Sequence, residues 1–203
     1  MINDESQIGF REYMREYLSF SVKSDSLDEI TENIAECYES LGVMASASHG
    51  ELARIPKVSD NTALSIKLLG YLYSRSITDD FKFGRKHTEE EISEYFAALF
   101  TGLAIETVYC MTLDGKGRIL SCEHMGDGTV NSSEIYPRRI LEYAAKCHAT
   151  GVIIAHNHPK GKPVTSNEDR FATECIKCIL KDAGIELIAH YLVSDGECVK
   201  MDF

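Results

Sequence analysis

Two histidines and one aspartate in the last third of the chain have the types and the spacing of a metal site. His156 and His158 follow the short apolar run of residues 151–155, with one residue between them. Because side chains alternate between the two faces of a strand, both imidazoles point to the same side, as the sharing of one metal ion requires. Asp169 lies in the first turn of a helix predicted to begin at Ser166, where its carboxylate can be the third ligand.

Three protein ligands leave the fourth position of a tetrahedral zinc ion open to water, which is the arrangement of a catalytic site rather than a structural one. The same residues allow a second interpretation, because Ser166-x-x-Asp169 also fits an ordinary helix N-cap. An acidic residue in the first turn stabilises a helix through the helix dipole without any metal. From these residues alone, the metal site and the plain helix start remain two alternatives.

The elements around these residues predict a mixed α/β domain. Its predicted strands cover residues 107–113, 118–125, 151–155, 185–193 and 198–203. Predicted helices start at Thr88, Pro137 and Ser166, and Thr88 with Glu91 has the spacing of a capping box. The run of residues 151–155 is continuously apolar, as in a buried central strand. The histidines then stand at its C-terminal end, where active sites of α/β sheets commonly form.

The first part of the chain is predicted to be helical. Apolar residues recur at helical spacing from Phe10 onward, and Ser26-x-x-Glu29 fits a capping box that opens a second helix. Further helices are expected over residues 49–54 and 61–75. We therefore divide the chain into a helical domain (residues 1–75), a polar linker (residues 76–87) and a second domain (residues 88–203).

The composition limits the partners and the environment of the protein. A net charge of −11 over 203 residues is unlike the basic surface with which most proteins bind nucleic acids. The chain has no apolar run long enough to span a membrane and no signal-peptide pattern at its N-terminus, so we expect a cytoplasmic protein. Its seven cysteines, including the Cys175-x-x-Cys178 pair, are expected to be reduced thiols in the core: Cys37, Cys110, Cys122, Cys147, Cys175, Cys178 and Cys198.

The segment His156-x-His158-Pro159, followed after six residues by Ser166-x-x-Asp169, resembles the motif of the JAMM (MPN+) metalloproteases. Within that superfamily, residues 106–203 are similar to the bacterial RadC-like proteins, through a Gly-Thr pair at 128–129, a Pro-Arg helix start at 137–138 and the segment 184–187. The resemblance implies a JAMM/MPN-type, cytidine-deaminase-like α/β metallohydrolase fold. It also implies a small helical, helix-hairpin-helix-like domain before that fold.

The same resemblance implies roles for individual residues. The two histidines and the aspartate match the zinc ligands of the family, and Ser166 matches the serine that hydrogen-bonds the water or the developing oxyanion. The upstream glutamate of the family, a general acid and base, matches Glu106, with Glu123 on the next predicted strand as the alternative. A carboxylate beside a zinc-bound water can take its proton and pass it to a leaving amine. The other interpretation of Glu106 is a solvated residue at a strand start.

The chain departs from the RadC-like pattern at several positions. Lys160 replaces a serine, Arg139 replaces a glutamate, and Ile188-Ala189-His190 replaces Leu-Asp-His. None of these changes removes a metal ligand. We expect His190 to pack in the core, with a place near the metal as the alternative.

The predicted hairpin of the helical domain, residues 52–69, departs further. Lys57-Val58-Ser59 stands where helix-hairpin-helix domains have Gly-apolar-Gly. That turn needs glycine so that backbone amides can approach a phosphate closely. We therefore expect a degenerate hairpin that serves packing or a protein partner.

These observations lead us to expect a zinc metallohydrolase, a peptidase or isopeptidase that attacks a peptide or protein substrate with a zinc-activated water. The main alternative is a DNA-associated, repair-type module with nuclease activity or a non-catalytic metal. An inactive scaffold is a third hypothesis. We expect DNA binding to be weak and no membrane to be a partner.

Overall fold

The computed structural model describes residues 4–38, 40–128, 135–159 and 163–203; Thr129 and Lys160, named above, lie outside them. Its helices and strands are α1 (Asp4–Ser19), α2 (Ser24–Cys37), α3 (Leu41–Ser46), α4 (His49–Leu52), α5 (Asp60–Asp80), α6 (Glu89–Phe100), β1 (Thr107–Leu113), β2 (Ile119–Asp127), α7 (Ile135–Lys146), β3 (Gly151–Asn157), α8 (Asn167–Asp182), β4 (Glu186–Ser194) and β5 (Glu197–Lys200). Among the described residues, no helix has both the length and the apolar character needed to cross a membrane.

The five strands form one mixed sheet in the order β2-β1-β3-β4-β5. β1 pairs antiparallel with both β2 and β3, and β5 pairs antiparallel with β4. β3 and β4 are parallel, and α8 forms the crossover that a parallel pair requires. The mixed α/β class is therefore confirmed, and β3 runs two residues beyond its predicted end, so that it includes His156.

β3 lies in the middle of the sheet, and all of its residues are buried. Val152 and Ile154 face the apolar cluster that α7 and α8 share, whereas Ile153 and Ala155 face the cluster of α6. Because strand side chains alternate, His156 lies on the face that α8 covers.

Helices α1 to α5 pack around an apolar cluster of their own, which includes Met14, Leu18, Ile34, Leu52 and Ile66. This part of the chain touches the sheet at the turn between β4 and β5, where Ser40 Oγ donates to Asp195 Oδ1 at 3.0 Å. At Gly42, a Cβ atom would stand only 3.2 Å from the Asp195 carbonyl oxygen and from Gly196 Cα. Glycine at this position therefore allows the helical part to lie directly on the turn.

The helix starts confirm one predicted capping box and correct another. Thr88 and Glu91 form the expected reciprocal box at the start of α6. The box expected at Ser26 is wrong, because α2 already begins at Ser24. Lys23 is the N-cap residue there, and its side chain makes no capping hydrogen bond. Ser26 thus lies inside the first turn, where it cannot cap the helix.

Helix α5 is longer than its sequence pattern predicts. It continues to Asp80, so that residues 76–80 of the segment predicted as a linker are helical. An ion pair at the i,i+4 spacing, Arg75 Nη2 to Asp79 Oδ1 at 2.8 Å, bridges this last part of the helix. The polar composition of the segment concealed this helical spacing.

All seven cysteines are free, but only Cys110 is fully buried in the core, contrary to the expectation for the whole set. Cys37 and Cys178 are exposed, and Cys175 is half-buried. Cys178 falls outside the buried stripe of α8, which includes Thr173 and Ile176. The Cys-x-x-Cys spacing therefore places its two thiols at the surface side of the helix rather than in the apolar cluster.

The turn between α4 and α5 contains the tripeptide that departs from a helix-hairpin-helix motif. Lys57 has a φ of 65°, a conformation that favours glycine. Its ammonium group forms an ion pair with the carboxylate of Glu29 on α2. Asn33 Nδ2 also donates to the Pro56 carbonyl oxygen at 3.0 Å. The turn is thus tied to α2, and its lysine already has a carboxylate partner.

We expect the protein to bind duplex DNA no tighter than about 10⁻⁴ M at physiological salt, the weak end of non-specific binding. The turn lacks the glycines that would admit a phosphate, and the chain carries a net charge of −11. Fluorescence anisotropy with a labelled duplex at two salt concentrations measures this affinity. Low-micromolar binding with a steep salt dependence, lost when residues 1–86 are removed, would contradict the expectation.

Candidate metal centre

The side chains of His156, His158 and Asp169 converge where β3 ends and α8 begins. One potential ligand atom from each lies within 4.8 Å of the others. His156 Nε2 is 3.4 Å from Asp169 Oδ1, and His158 Nε2 is 3.5 Å from Asp169 Oδ2. His156 and Asp169 are buried, whereas His158 is half-buried. The cluster is therefore enclosed by protein except beside His158.

β4 holds His158 in place beyond the end of β3. The His158 N–H donates to the Val193 carbonyl oxygen at 2.8 Å, and Ser194 Oγ donates to the His158 carbonyl oxygen at 3.0 Å. These bonds extend the ladder between the two strands past Asn157. The strand alternation is thereby kept, and the imidazoles of His156 and His158 lie on the same face.

Ser166 caps α8 and at the same time holds the carboxylate of Asp169. Ser166 Oγ accepts from the Asp169 N–H at 3.0 Å, and the Ser166 N–H donates to Asp169 Oδ2 at 2.9 Å. The Ser166 hydroxyl donates to the same Oδ2 at 2.7 Å. The helix cap and the metal cluster are therefore compatible, because the cap uses Oδ2 and leaves Oδ1 beside His156.

A buried chain of hydrogen bonds behind His156 sets the tautomer of its ring. Thr173 Oγ1 donates to the Asp169 carbonyl oxygen at 2.6 Å, so it accepts from His190 Nδ1, which is 2.7 Å away. Burial lowers the pKa of His190 well below its ordinary value, so the ring is neutral and its Nε2 is an acceptor. His156 Nδ1 therefore donates to His190 Nε2 at 2.9 Å, and His156 Nε2 keeps a free lone pair.

His156 Nε2 is buried and has no hydrogen-bond partner among the described residues. A buried polar atom without a partner costs about 1–3 kcal/mol of stability unless something binds it. Two imidazole nitrogens and one carboxylate oxygen form a set of donor atoms that zinc takes in proteins. The residues present therefore fit a metal ion held by His156, His158 and Asp169.

The protonation states of the cluster favour a cation at neutral pH. Burial lowers the pKa of His158, and His156 acts in the same direction, while Asp169 and Glu106 oppose the shift. For Asp169, burial raises the pKa, but the interactions with His156 and Ser166 outweigh it, so the pKa is lowered. At neutral pH the His158 ring is thus unprotonated and the Asp169 carboxylate is ionised, as metal binding requires.

Asn157, which stands between the two histidines in the sequence, fixes the backbone on both sides of Glu106. Its Oδ1 accepts from the Thr107 N–H at 2.8 Å, and its Nδ2 donates to the Ile105 carbonyl oxygen at 3.2 Å. Asn157 is only 3% exposed, so water competes little for these bonds. The residue between the histidines thus ties the metal cluster to the start of β1.

Glu106 belongs to the side of the sheet that carries the histidines. Val108 pairs with His156 across β1 and β3, and Glu106 precedes Val108 by two residues, which puts it on the same face. Its charge acts on the pKa of His158, as expected of a near neighbour. Glu123 is exposed on β2, one strand farther from the histidines. Of the two candidate glutamates, Glu106 is therefore the better placed.

A cleft of about 500 Å³ lies beside His158, between the helical part and the sheet. Its sheet side is formed by residues 157–159 and 193–196, and its helical side includes Tyr38, Val43 and Glu51. His158 belongs to both the cleft and the metal cluster. The lining residues Phe100 and Val193 belong to the apolar cluster on the α6 side of the sheet, so the cleft and the metal cluster meet only at His158.

The structure brings together the three residues predicted as metal ligands, with the predicted serine and the first predicted glutamate near them. His190, for which packing and a place near the metal were both open, is fully buried and hydrogen-bonded to a member of the cluster. Sequence reasoning missed Thr173 and Asn157. The spacing of Thr173, four residues after Asp169 on the same helix face, could have indicated its place. Asn157 gave no such signal, because its partners depend on how β1 and β3 pair.

Comparisons with known proteins agree with this geometry. The family model of the RadC-like JAB domain matches residues 86–202. A UPF0758 protein of Herminiimonas arsenicoxydans is 26% identical over 184 residues, which cover 90% of this chain and 82% of the relative. A UPF0758 protein of Pasteurella multocida is 24% identical over 181 residues, which cover 89% and 81%. A UPF0758 protein of Xanthomonas campestris is 28% identical over 151 residues, which cover 74% and 67%.

We expect the purified protein to bind about one zinc ion per chain, as a single three-ligand site would. The double substitution His156→Ala, His158→Ala removes two of the three ligands and is expected to empty the site. Elemental analysis after purification without chelators and resupply with zinc measures the content. Cys175→Ser, Cys178→Ser is the control and should retain the metal. Zinc lost from the cysteine variant, or absent from the wild type, would contradict the site.

His190→Leu is expected to weaken zinc binding by about 10- to 100-fold, the usual effect of losing the group that orients a histidine ligand. The leucine fills the buried space but cannot accept the hydrogen bond from His156 Nδ1. Competition with a chromogenic chelator gives the affinity. Tyr191→Phe, on the other face of the same strand, is the matched control. Unchanged zinc affinity in His190→Leu would show that the buried hydrogen-bond chain does not position the ligand.

Proposed function

Because the chain belongs to the RadC-like JAB domain family, we propose that it is a zinc-dependent hydrolase of peptide or isopeptide bonds. The observation that supports this most directly is the buried Nε2 of His156, which has no hydrogen-bond partner among the described residues and lies beside the His158 imidazole and the Asp169 carboxylate. These three side chains would hold the ion. Zinc bound there would supply a water of lowered pKa and polarise the carbonyl group to be attacked.

We assign the proton transfers to Glu106. Its half-buried carboxylate lies on the histidine side of the sheet, and Asn157 holds the backbone on either side of it. Such a carboxylate would take a proton from the attacking water and deliver it to the leaving nitrogen. One residue would thus serve as base and then as acid, and each reaction cycle would return it to its starting state.

Ser166 is proposed to stabilise the negative charge that develops on the carbonyl oxygen. Its hydroxyl donates to Asp169 Oδ2 in the structure, so this role requires the hydroxyl to turn toward the substrate. The Ser166 N–H would continue to hold Asp169 through its bond of 2.9 Å. The capping box thus lets the serine change partner while the carboxylate keeps its position.

The cleft beside His158 supports a peptide substrate rather than a nucleic acid. Among the described residues that line it are two carboxylates, Glu51 and Asp195, and no lysine or arginine. A phosphate backbone would meet like charge there, whereas apolar residues such as Val43 and Phe100 suit a peptide side chain. A peptide bound in this cleft would approach the metal cluster at His158.

Glu106→Gln is expected to retain zinc, because the residue is not among the ligands, and to lower the hydrolysis rate by at least about 10²-fold through loss of the general base. A mixture of peptides from a digested proteome, incubated with zinc-loaded protein and searched by mass spectrometry for new termini, provides the assay. Glu123→Gln is the control and should cleave as the wild type does.

Two results would contradict this assignment. Zinc loss in Glu106→Gln would make the residue a ligand, and full cleavage by that variant would exclude it as the base. If Glu123→Gln alone stopped cleavage, the role would pass to Glu123.

A further inference from the structure

One face of α5 exposes large apolar side chains that the fold of the chain leaves uncovered. Leu64, Leu68, Tyr71 and Leu72 are between 54% and 61% exposed. Leu64, Leu68, Tyr71 and Arg75 follow the steps of four, three and four residues that mark a single seam of a helix, and Leu72 lies beside this seam, four residues after Leu68. The opposite face of α5 supplies the buried residues that pack against the rest of the protein: Thr62, Ala63, Ile66 and Gly70. Within the part of the chain that the structure describes, the seam is thus open to another molecule.

Helix α1 extends this apolar surface. Tyr17 Oη donates to the Ser65 carbonyl oxygen at 2.6 Å, which places α1 beside the exposed seam of α5. Tyr13, four residues before Tyr17 on α1, is 67% exposed, and Phe20, directly after the end of α1, is 86% exposed. Together the six apolar side chains expose on the order of 800 Å² per chain. One partner of a standard protein interface buries about that much.

We propose that this face binds a second copy of the same chain, with the two α5 helices antiparallel and a two-fold axis at Leu68. In that arrangement Leu68 meets its own copy, and Tyr71 lies beside Leu64 of the partner subunit. The spacing is self-complementary, as an interface between identical surfaces must be. The apolar side chains at the centre of each seam would then be covered by those of the other subunit.

The charges at the two ends of the seam favour the antiparallel arrangement. Arg75 stands seven residues after Leu68 and Asp60 stands eight before it. Pairing about Leu68 therefore brings Arg75 beside Asp60 of the partner subunit, once at each end. A parallel pair would set each of these charges against its own copy. Arg75 forms an exposed ion pair with Asp79 in the single chain, which is worth little and is easily exchanged.

Sedimentation velocity on the full chain tests the proposal. We expect the mass of two chains at about 100 µM protein and of one chain at about 1 µM, as for a micromolar Kd. Leu68→Glu sets two carboxylates against each other at the axis and should leave a single chain at both concentrations. Tyr73→Glu changes an exposed residue on the other side of the same helix and should associate as the wild type does.

A charge exchange gives a second test that does not depend on the apolar centre. Asp60→Arg and Arg75→Asp should each weaken association by about tenfold or more, and the double variant should restore it, because each charge then again meets its opposite.

A wild type that remains a single chain at about 100 µM overturns the proposal. So does a Tyr73→Glu variant that dissociates as Leu68→Glu does, or a double charge variant that stays dissociated. Because none of these experiments measures metal binding or hydrolysis, the result is independent of the proposed function.

Discussion

The hydrogen bond between His156 and His190 is the interaction on which the rest of the site depends. It fixes the proton of His156 on Nδ1 and so directs the bare Nε2 toward Asp169 and His158. The bond exists because β3 and β4 are parallel neighbours, which places His190 opposite Ile154 and on the same face as His156. Its strength comes from complete burial, which keeps His190 neutral and excludes competing water. Helix α8 closes the arrangement with Thr173, one turn after Asp169.

The local parts of this site follow from the sequence. An apolar run with two histidines at its end predicts β3 and the face of its imidazoles, because strand alternation is a property of the backbone. Ser166 and Asp169 likewise predict the start of α8, since capping involves residues three apart. The contacts between residues far apart in the chain do not follow from the sequence. His190 contacts His156 only because β3 pairs with β4, and the register of this pairing shifts between Val152 and Ile153. The periodicity of the sequence does not indicate such a shift.

The link between Asn157 and the start of β1 escaped prediction for the same reason. Its two bonds replace the backbone pairing that β1 and β3 would otherwise continue, and they join residues about fifty positions apart. They connect the end of β3, which carries His156, with the residue proposed to move protons. The helical part adds a third long-range feature, since Gly42 lets it lie on the turn between β4 and β5 and form one wall of the cleft. The helical part therefore lines the cleft that the metal cluster meets at His158.

Crystals of zinc-supplied protein, measured with X-rays on both sides of the zinc absorption edge, test the central claim most directly. The account predicts one strong anomalous peak per chain, about 2.0–2.1 Å from His156 Nε2 and His158 Nε2 and within about 2.2 Å of an Asp169 carboxylate oxygen. It also predicts that His156 Nδ1 keeps its bond to His190 with the metal in place. A peak bound through His156 Nδ1, a peak at the cysteines of α8, or no peak at these three side chains would contradict it.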